Sequence, residues 1–231
     1  MKVFIGIESC YDHRGSEQAV RDSWLKDWNG AYKFFLCPNV RDPQPDELIL
    51  DAEDGWFNLL RKFRAEIDWF MSQDFDYFFR CHNDTYVYVP RLLTSGFENL
   101  DWIGHEQHAP DWSAAEKFSG HVGAHRFAYG GSGFWFSRKA CETLQKFLHT
   151  ADYLKHAEHA IEDIAIGKIL SGEGFVLYND HRYHERQPGP LPENDIITLH
   201  ESETDLHVEG KVNLRNREHM LATHRRAHGQ Q

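Results

Sequence analysis

The 231 residues predict a single α/β domain built on a mixed, mostly parallel sheet flanked by helices. Three observations carry this prediction. The runs "KVFIGI" and "YKFFLCP" are continuously apolar, as expected of parallel strands buried on both faces. Helical apolar stripes separate such runs, the clearest lying in "GWFNLLRKFRAEIDWFM". With 41% hydrophobic and 14% aromatic residues the chain can bury a full core, and its length fits one domain.

The elements follow in order. Between the first two strands, Val20, Trp24, Leu25 and Trp28 recur at helical spacing. Trp56, Leu59, Leu60, Phe63, Ile67, Phe70 and Met71 form the stripe of the next helix, and "FDYFF" is the third strand. That strand runs into the polar quartet "HNDT" (His82 to Thr85) before "YVYV" resumes an extended pattern. "YGGSGFWFS" sets three glycines directly before an aromatic strand, and Ser137 can cap a helix whose Ala140, Leu144, Phe147 and Leu148 face inward. "HAIEDIAIGKIL" opens a helix on the adjacent acids Glu162 and Asp163, with Ile164, Ile166 and Ile169 on its apolar side. "FVLYN" and "DIITLH" are two further strands, the second ending at His200. "ERQPGPLPEN" is a long loop rather than a linker, and no internal repeat divides the chain.

Charge and composition narrow the partners. A formal net charge of −11 repels phosphate backbones, so nucleic acid is a poor partner. The five uncharged residues between Lys2 and Glu8 are too few for a signal peptide, and no run reaches the ~18 apolar residues of a membrane span. Cys10, Cys37, Cys81 and Cys141 are scattered, without metal or redox spacing, and read as buried thiols of a reducing compartment. The expected location is cytoplasmic.

In an open α/β sheet, ligands bind at the carboxyl ends of the strands, which is where "HNDT" stands. Taken singly, each candidate has a plain structural reading. Asp84 is a turn carboxylate, the glycines are a tight turn, Glu162 and Asp163 answer a helix dipole, and His200 is a surface group. The glycine stretch is no dinucleotide fingerprint, because it opens a strand rather than a helix.

Taken together and in order, the stretches resemble one family. "EQAVRDSWL" is similar to "R-x-A-I-R-x-T-W", "DGWFNLLRKF" to "D-x-Y-x-N-L-T-x-K", and "FDYFFRCHNDTYVYV" to "Y-K-F-V-L-K-x-D-D-D-T-Y-V". "YGGSGFWFS" is similar to "Y-x-x-G-G-A-G-Y-x-x-S", "EDIAIGKIL" to "E-D-V-x-x-G-x-C-L", and "DIITLH" to "A-I-S-F-H". These motifs, in register over about residues 17 to 200, resemble the inverting β-1,3-glycosyltransferases that include β-1,3-galactosyltransferases, β-1,3-N-acetylglucosaminyltransferases, core 1 galactosyltransferase and Fringe.

The resemblance implies a GT-A-like single domain. Residues of about 1–89 would form the nucleotide-sugar half, about 90–210 the acceptor-binding and catalytic half, and 211–231 a tail. It implies an Mn²⁺ or Mg²⁺ ion on Asp84 and His200, with His82 as third ligand and His181 or His184 as substitutes. His82 and Asn83 stand where the family carries acids, which shifts preference toward borderline metals. The same resemblance assigns donor binding to Arg21, Lys62, His82, Asn83, Asp84, Gly130, Gly131 and Gly133, the glycines shaping the wall where sugar and acceptor meet. Asp163 is the expected catalytic base and Glu162 its fallback. The implied partners are a nucleotide-sugar donor, UDP-linked by resemblance, and a glycan, lipid-linked glycan or glycoprotein acceptor. A metal-dependent nucleotide-sugar hydrolase and a catalytically silent sugar-binding domain are the alternatives. The tail, with Arg215, Arg217, Arg225 and Arg226 against Glu218, reads first as a solvated helix face and second as a peripheral contact to an anionic membrane.

Overall fold

The computed structural model describes residues 1–10, 14–39, 42–55, 58–108, 126–150, 162–185, 195–200 and 214–229. Trp56, the Pro-rich loop from 186 to 194 and the Arg215 and Arg217 side chains lie outside them.

Strand β1 (Val3–Glu8) is followed by α1 (Arg14–Asp22), β2 (Ala31–Leu36), β3 (Glu47–Ile49), α2 (Leu59–Met71) and β4 (Tyr77–His82). Then come β5 (Thr85–Val87), α3 (Val89–Leu93), β6 (Trp102–Gly104), β7 (Glu106–His108), β8 (Arg126–Ala128) and β9 (Phe134–Ser137). The chain closes with α4 (Arg138–Leu148), α5 (Glu162–Gly172), β10 (Tyr178–Asn179), β11 (Tyr183–Glu185), β12 (Thr198–His200) and α6 (Leu214–Ala227). Seven strands form the main sheet in the order β10-β6-β9-β4-β1-β2-β3. All its pairings are parallel except the two made by β9. The expected mixed, mostly parallel sheet is thus present, and "FDYFF" is its fourth strand rather than its third. Short β3, with only three residues, carries too weak a pattern to be read from sequence.

Side-chain alternation along the buried strands divides the core in two. Phe4, Phe35, Phe78 and Phe136 meet α2 and α4 on one face, through Leu60, Phe63, Ile67, Phe70 and Leu144. Ile5, Ile7, Phe34, Phe79 and Trp135 point to the other, where Val20, Trp24, Leu92 and Met220 cover them. Each fully buried Phe or Leu contributes about 1.5–3 kcal/mol relative to an exposed one.

Two helices depart from expectation. The helix expected through Trp28 stops at Asp22, because the Ser23 hydroxyl turns back to the Ala19 carbonyl at 2.6 Å and the chain tightens into a 3₁₀ turn, Trp24–Asp27. The carboxyl-terminal segment is not a free tail: Met220 and Thr223 of α6 are buried, while Arg225 and Arg226 stay exposed. No helix among the described residues is long and apolar enough to cross a membrane. Three cysteines are buried as expected and Cys10 is half-buried; all four are free thiols.

Ser137 caps α4 as expected, its Oγ accepting from the Ala140 N–H at 3.2 Å and donating to Asp101 Oδ1 at 2.5 Å. Ser137→Ala is expected to lower stability by about 1–2 kcal/mol in urea denaturation. A loss inside the ~0.5 kcal/mol range of ordinary surface substitutions would show that the cap contributes nothing.

Candidate functional site

The site begins where β1 and β4 end together. Their register sets Glu8 beside His82, and the turn at Asn83 and Asp84 sends the chain into β5. A second, three-stranded sheet then decides the site. β12 pairs antiparallel with β5, placing His200 opposite Thr85 and next to Asp84, 116 positions earlier in the chain. His200 Nε2 lies 3.3 Å from Asp84 Oδ1, and one ligand atom each from His82, Asp84 and His200 fall within 4.8 Å of one another.

Against this group lies the glycine turn Gly130–Ser132. Thr85 Oγ1 donates to the Gly131 carbonyl at 2.7 Å, and Thr198 Oγ1 to the Ser132 carbonyl at 2.6 Å, so β5 and β12 of the second sheet hold the turn in place. The Gly130 N–H donates to Asp163 Oδ2 at 3.0 Å. At Gly130 and Gly131 the room left by the missing side chains is filled by the protein itself. A Cβ at Gly130 would meet Asp163 Oδ1 at 2.6 Å, and one at Gly131 would meet His200 Nε2 at 2.8 Å. Gly133, at φ +84°, needs glycine for its backbone. Gly131→Ala is therefore expected to leave the protein folded but weaken Mn²⁺ binding about 10-fold or more, by displacing His200. Unchanged affinity by metal titration would separate the glycine from the histidine.

Beneath the site Arg80 is fully buried among three carboxylates. Its Nε donates to Glu66 Oε2 at 2.7 Å, and its Nη2 faces Glu162 Oε1 at 2.8 Å and also bonds Glu8. One guanidinium does not neutralise three buried acids, and their ionisation separates. Burial opposes a charge on Glu8, but Arg80, His82 and Lys62 outweigh it and hold its carboxyl below the ordinary range. Burial pushes the Glu162 carboxyl well up; Arg80 pulls it down, while Glu8 and Asp163 add to the rise. Burial raises Asp163 as well, against the Gly130 N–H, His82 and Arg80. For Asp84, burial is overcome by His200 and His82, and the group stays anionic. Burial lowers His82 but Glu8, 3.1 Å from its Nε2, outweighs that and raises it.

The chemistry of this donor set fits a divalent cation. Asp84 Oδ1 is buried, anionic and accepts no well-aligned hydrogen bond, and two imidazoles flank it. His181 and His184 are not members of this group; their rings stand near His105, at 5.8 and 6.5 Å between centroids. Lys62 bonds the Ser9 carbonyl and lies 3.5 Å from Asp54 and 3.8 Å from Glu8, at the same strand ends. Asn83 Nδ2 donates to Ser9 Oγ at 2.7 Å, which donates to Glu17 at 2.6 Å. Arg21 is engaged by carboxylates, bonding Asp46 at 2.8 Å and Glu47 at 2.9 Å and lying 3.7 Å from Glu17. It reaches Asn83 through Glu17 and Ser9.

Sequence reasoning missed a cleft of about 740 Å³ beside Lys62, lined by Cys37, Asn39, Asp54, Arg61 and Arg64. Burial pushes the Cys37 thiol up to about 12, so it lines the cleft as a neutral group. The available signal was Cys37-Pro38 at the end of the second strand, the position where such sheets bind ligands.

A Fringe-like family model matches residues 52–188, more than half of the chain. No curated protein matches the sequence. Among solved structures, a glycosyltransferase involved in the glycosylation of the major capsid of PBCV-1 is 14% identical with a TM-score of 0.50, covering 96% of this chain and 100% of that one. The galactosyltransferase LgtC, in complex with donor and acceptor sugar analogs, is 11% identical with a TM-score of 0.51, covering 96% of each chain. The glycosyltransferase GlyE of Streptococcus pneumoniae TIGR4 is 15% identical with a TM-score of 0.55, covering 96% of this chain and 60% of that one. At these identities the likeness shows the fold, GT-A. With its family matched over the segment that carries Lys62, "HNDT", the glycine turn and Asp163, the chain belongs to the Fringe-like family and is a Fringe-like glycosyltransferase of GT-A fold.

Proposed function

We propose that the chain is an inverting, metal-dependent transferase that moves a sugar from a nucleotide-diphosphate sugar, most simply a UDP-sugar, to a hydroxyl of a glycan, lipid-linked glycan or glycoprotein. The observation that carries this reading is the convergence of His82, Asp84 and His200 beside a glycine turn that also anchors Asp163.

In this reading residues of about 1–89 supply the donor side and about 90–210 the acceptor side. The nucleoside lies in the cleft between Cys37 and Arg64, next to Lys62, which draws the diphosphate toward the strand ends. Asn83 and Ser9 form the floor, and Arg21 positions them through Glu17. His82, Asp84 and His200 would hold Mn²⁺, which takes two imidazoles and a carboxylate more readily than Mg²⁺ does, and the ion would supply positive charge to the departing nucleotide.

Asp163 takes the proton of the attacking hydroxyl. Its Oδ2 is tied to the Gly130 N–H, which fixes the carboxylate and leaves Oδ1 for the acceptor. Burial raises its pKa, making it a stronger base than a surface aspartate. Glu162 is unsuited to that role. It is 3% exposed, faces Arg80 and is held toward its neutral form.

The test is a thermal-shift screen of nucleotides and nucleotide sugars with and without Mn²⁺, followed by turnover assays with and without acceptor. A ligand at 100 times its dissociation constant adds ~2.7 kcal/mol to stability, which is readily seen. A UDP-sugar is expected to stabilise the protein only with metal present and to be consumed only with an acceptor. Full-rate consumption without acceptor would make the protein a hydrolase, and binding without turnover a silent sugar-binding domain.

A further inference from the structure

A second group of metal-capable side chains lies where α6 docks beside the turn Trp24–Asp27. Asp27, His224 and His228 each present a ligand atom, and these atoms lie within 4.8 Å of one another. Side chains at i and i+4 share one helix face, and "HRRAH" supplies two imidazoles at that spacing. Their ring centroids are 4.4 Å apart. The third member comes from a distant element: Asp27 Oδ2 stands 3.0 Å from His228 Nε2. The Tyr86 hydroxyl, 3.1 Å from His224 Nδ1, orients that ring as outer partners orient metal-binding histidines. The group is accessible, the His228 side chain being 41% exposed.

We infer that Asp27, His224 and His228 form a second metal site, taking a borderline divalent cation of the Zn²⁺ or Co²⁺ type and fastening the carboxyl-terminal helix to the body of the fold. Two imidazoles and one carboxylate suit such ions better than Mg²⁺ or Ca²⁺, and three protein ligands leave a position for water. The ligands come from residues about 200 apart in sequence, so an ion that binds only the folded arrangement stabilises it. The surroundings lead back to the strand that follows Asp84. Trp24 Nε1 donates to the Thr85 carbonyl at 3.0 Å, and Tyr86, which touches His224, lies in β5. A metal here braces the outer side of the strand whose neighbours are Asp84 and His200.

The full-length, metal-stripped protein is titrated with Zn²⁺ and with Co²⁺ alone, without nucleotide, and bound metal is counted by native mass spectrometry alongside Tm. The wild type is expected to bind about two equivalents. His228→Gln, which alters a half-exposed side chain and keeps the fold, is expected to lose one equivalent and most of the Zn²⁺-dependent rise in Tm. Asp27→Asn should do the same, and Asp84→Asn should lose the other equivalent. If His228→Gln and Asp27→Asn keep the wild-type metal count and Tm rise, the second site is overturned. A single wild-type equivalent lost only in Asp84→Asn overturns it too. A single equivalent lost only in His228→Gln supports it while removing the metal from the transfer site.

Discussion

Asp163→Asn is expected to cut sugar transfer by about two to four orders of magnitude while leaving nucleotide-sugar affinity close to that of the wild type. The geometry explains the separation. Asp163 is tied to the glycine turn, its Oδ2 accepting from the Gly130 N–H at 3.0 Å. An amide fills the same space, and presenting its carbonyl oxygen to that N–H keeps the turn and, with it, His200 in place. What it removes is the site for a proton. The pH profile gives a second reading of the same group. Because burial raises its pKa, the ionised base is lost as pH falls through a value above that of an ordinary aspartate, so the acidic limb of kcat/KM lies higher than a surface carboxylate would give. That limb should vanish in Asp163→Asn. Near-normal transfer, or an unmoved acidic limb, would remove Asp163 from the chemistry, and the comparison with Glu162→Gln then becomes the next measurement.

How much of this was legible in the sequence depends on the range of the interaction. Long apolar strands announce themselves, since Phe4, Phe35 and Phe78 pack one face of the sheet while Ile5, Phe34 and Phe79 pack the other. The α2 stripe and the Ser137 cap are equally local. The strands that went unread, β3, β6 to β8 and β11, have three residues each, too few for a period to show. The pairing of β5 with β12, which brings His200 to Asp84, has no local signature, and the resemblance rather than any pattern joined those residues. Arg80 is the sharpest case. Inside "FDYFFRCH" it went unread, yet Glu8, Glu66 and Glu162 converge on it from three separate elements. A charge in the middle of an aromatic run was the available signal. In "HRRAH" the arginines drew the reading toward a basic tail and away from the paired histidines.

Asp84→Ala is expected to weaken Mn²⁺ binding about 100-fold or more, exceeding the 10–100-fold typical of groups that only support a ligand, and to carry nucleoside-diphosphate affinity down with it. EDTA should do the same to the wild type. The reason is electrostatic: Asp84 and Glu8 are both held in their anionic forms at the strand ends, so a diphosphate arriving without a cation meets two like charges in a buried setting. His82→Asp separates the metal reading from a mere turn. It puts a carboxylate in place of an imidazole that lies 3.1 Å from Glu8 Oε2 and whose pKa that acid raises. Without metal the variant crowds Glu8, Asp84 and the new carboxylate together, and its metal-free form is expected to be less stable than the wild type. With metal the added hard, anionic ligand favours Mn²⁺ over Zn²⁺, so the ratio of the two affinities should move toward Mn²⁺ by about tenfold or more. Titrating both ions into the wild type, Asp84→Ala and His82→Asp with a nucleoside diphosphate present decides the matter. An unchanged ratio in His82→Asp would take His82 out of the ligand set, and equal, EDTA-insensitive nucleotide binding in all three proteins would reduce "HNDT" to a turn.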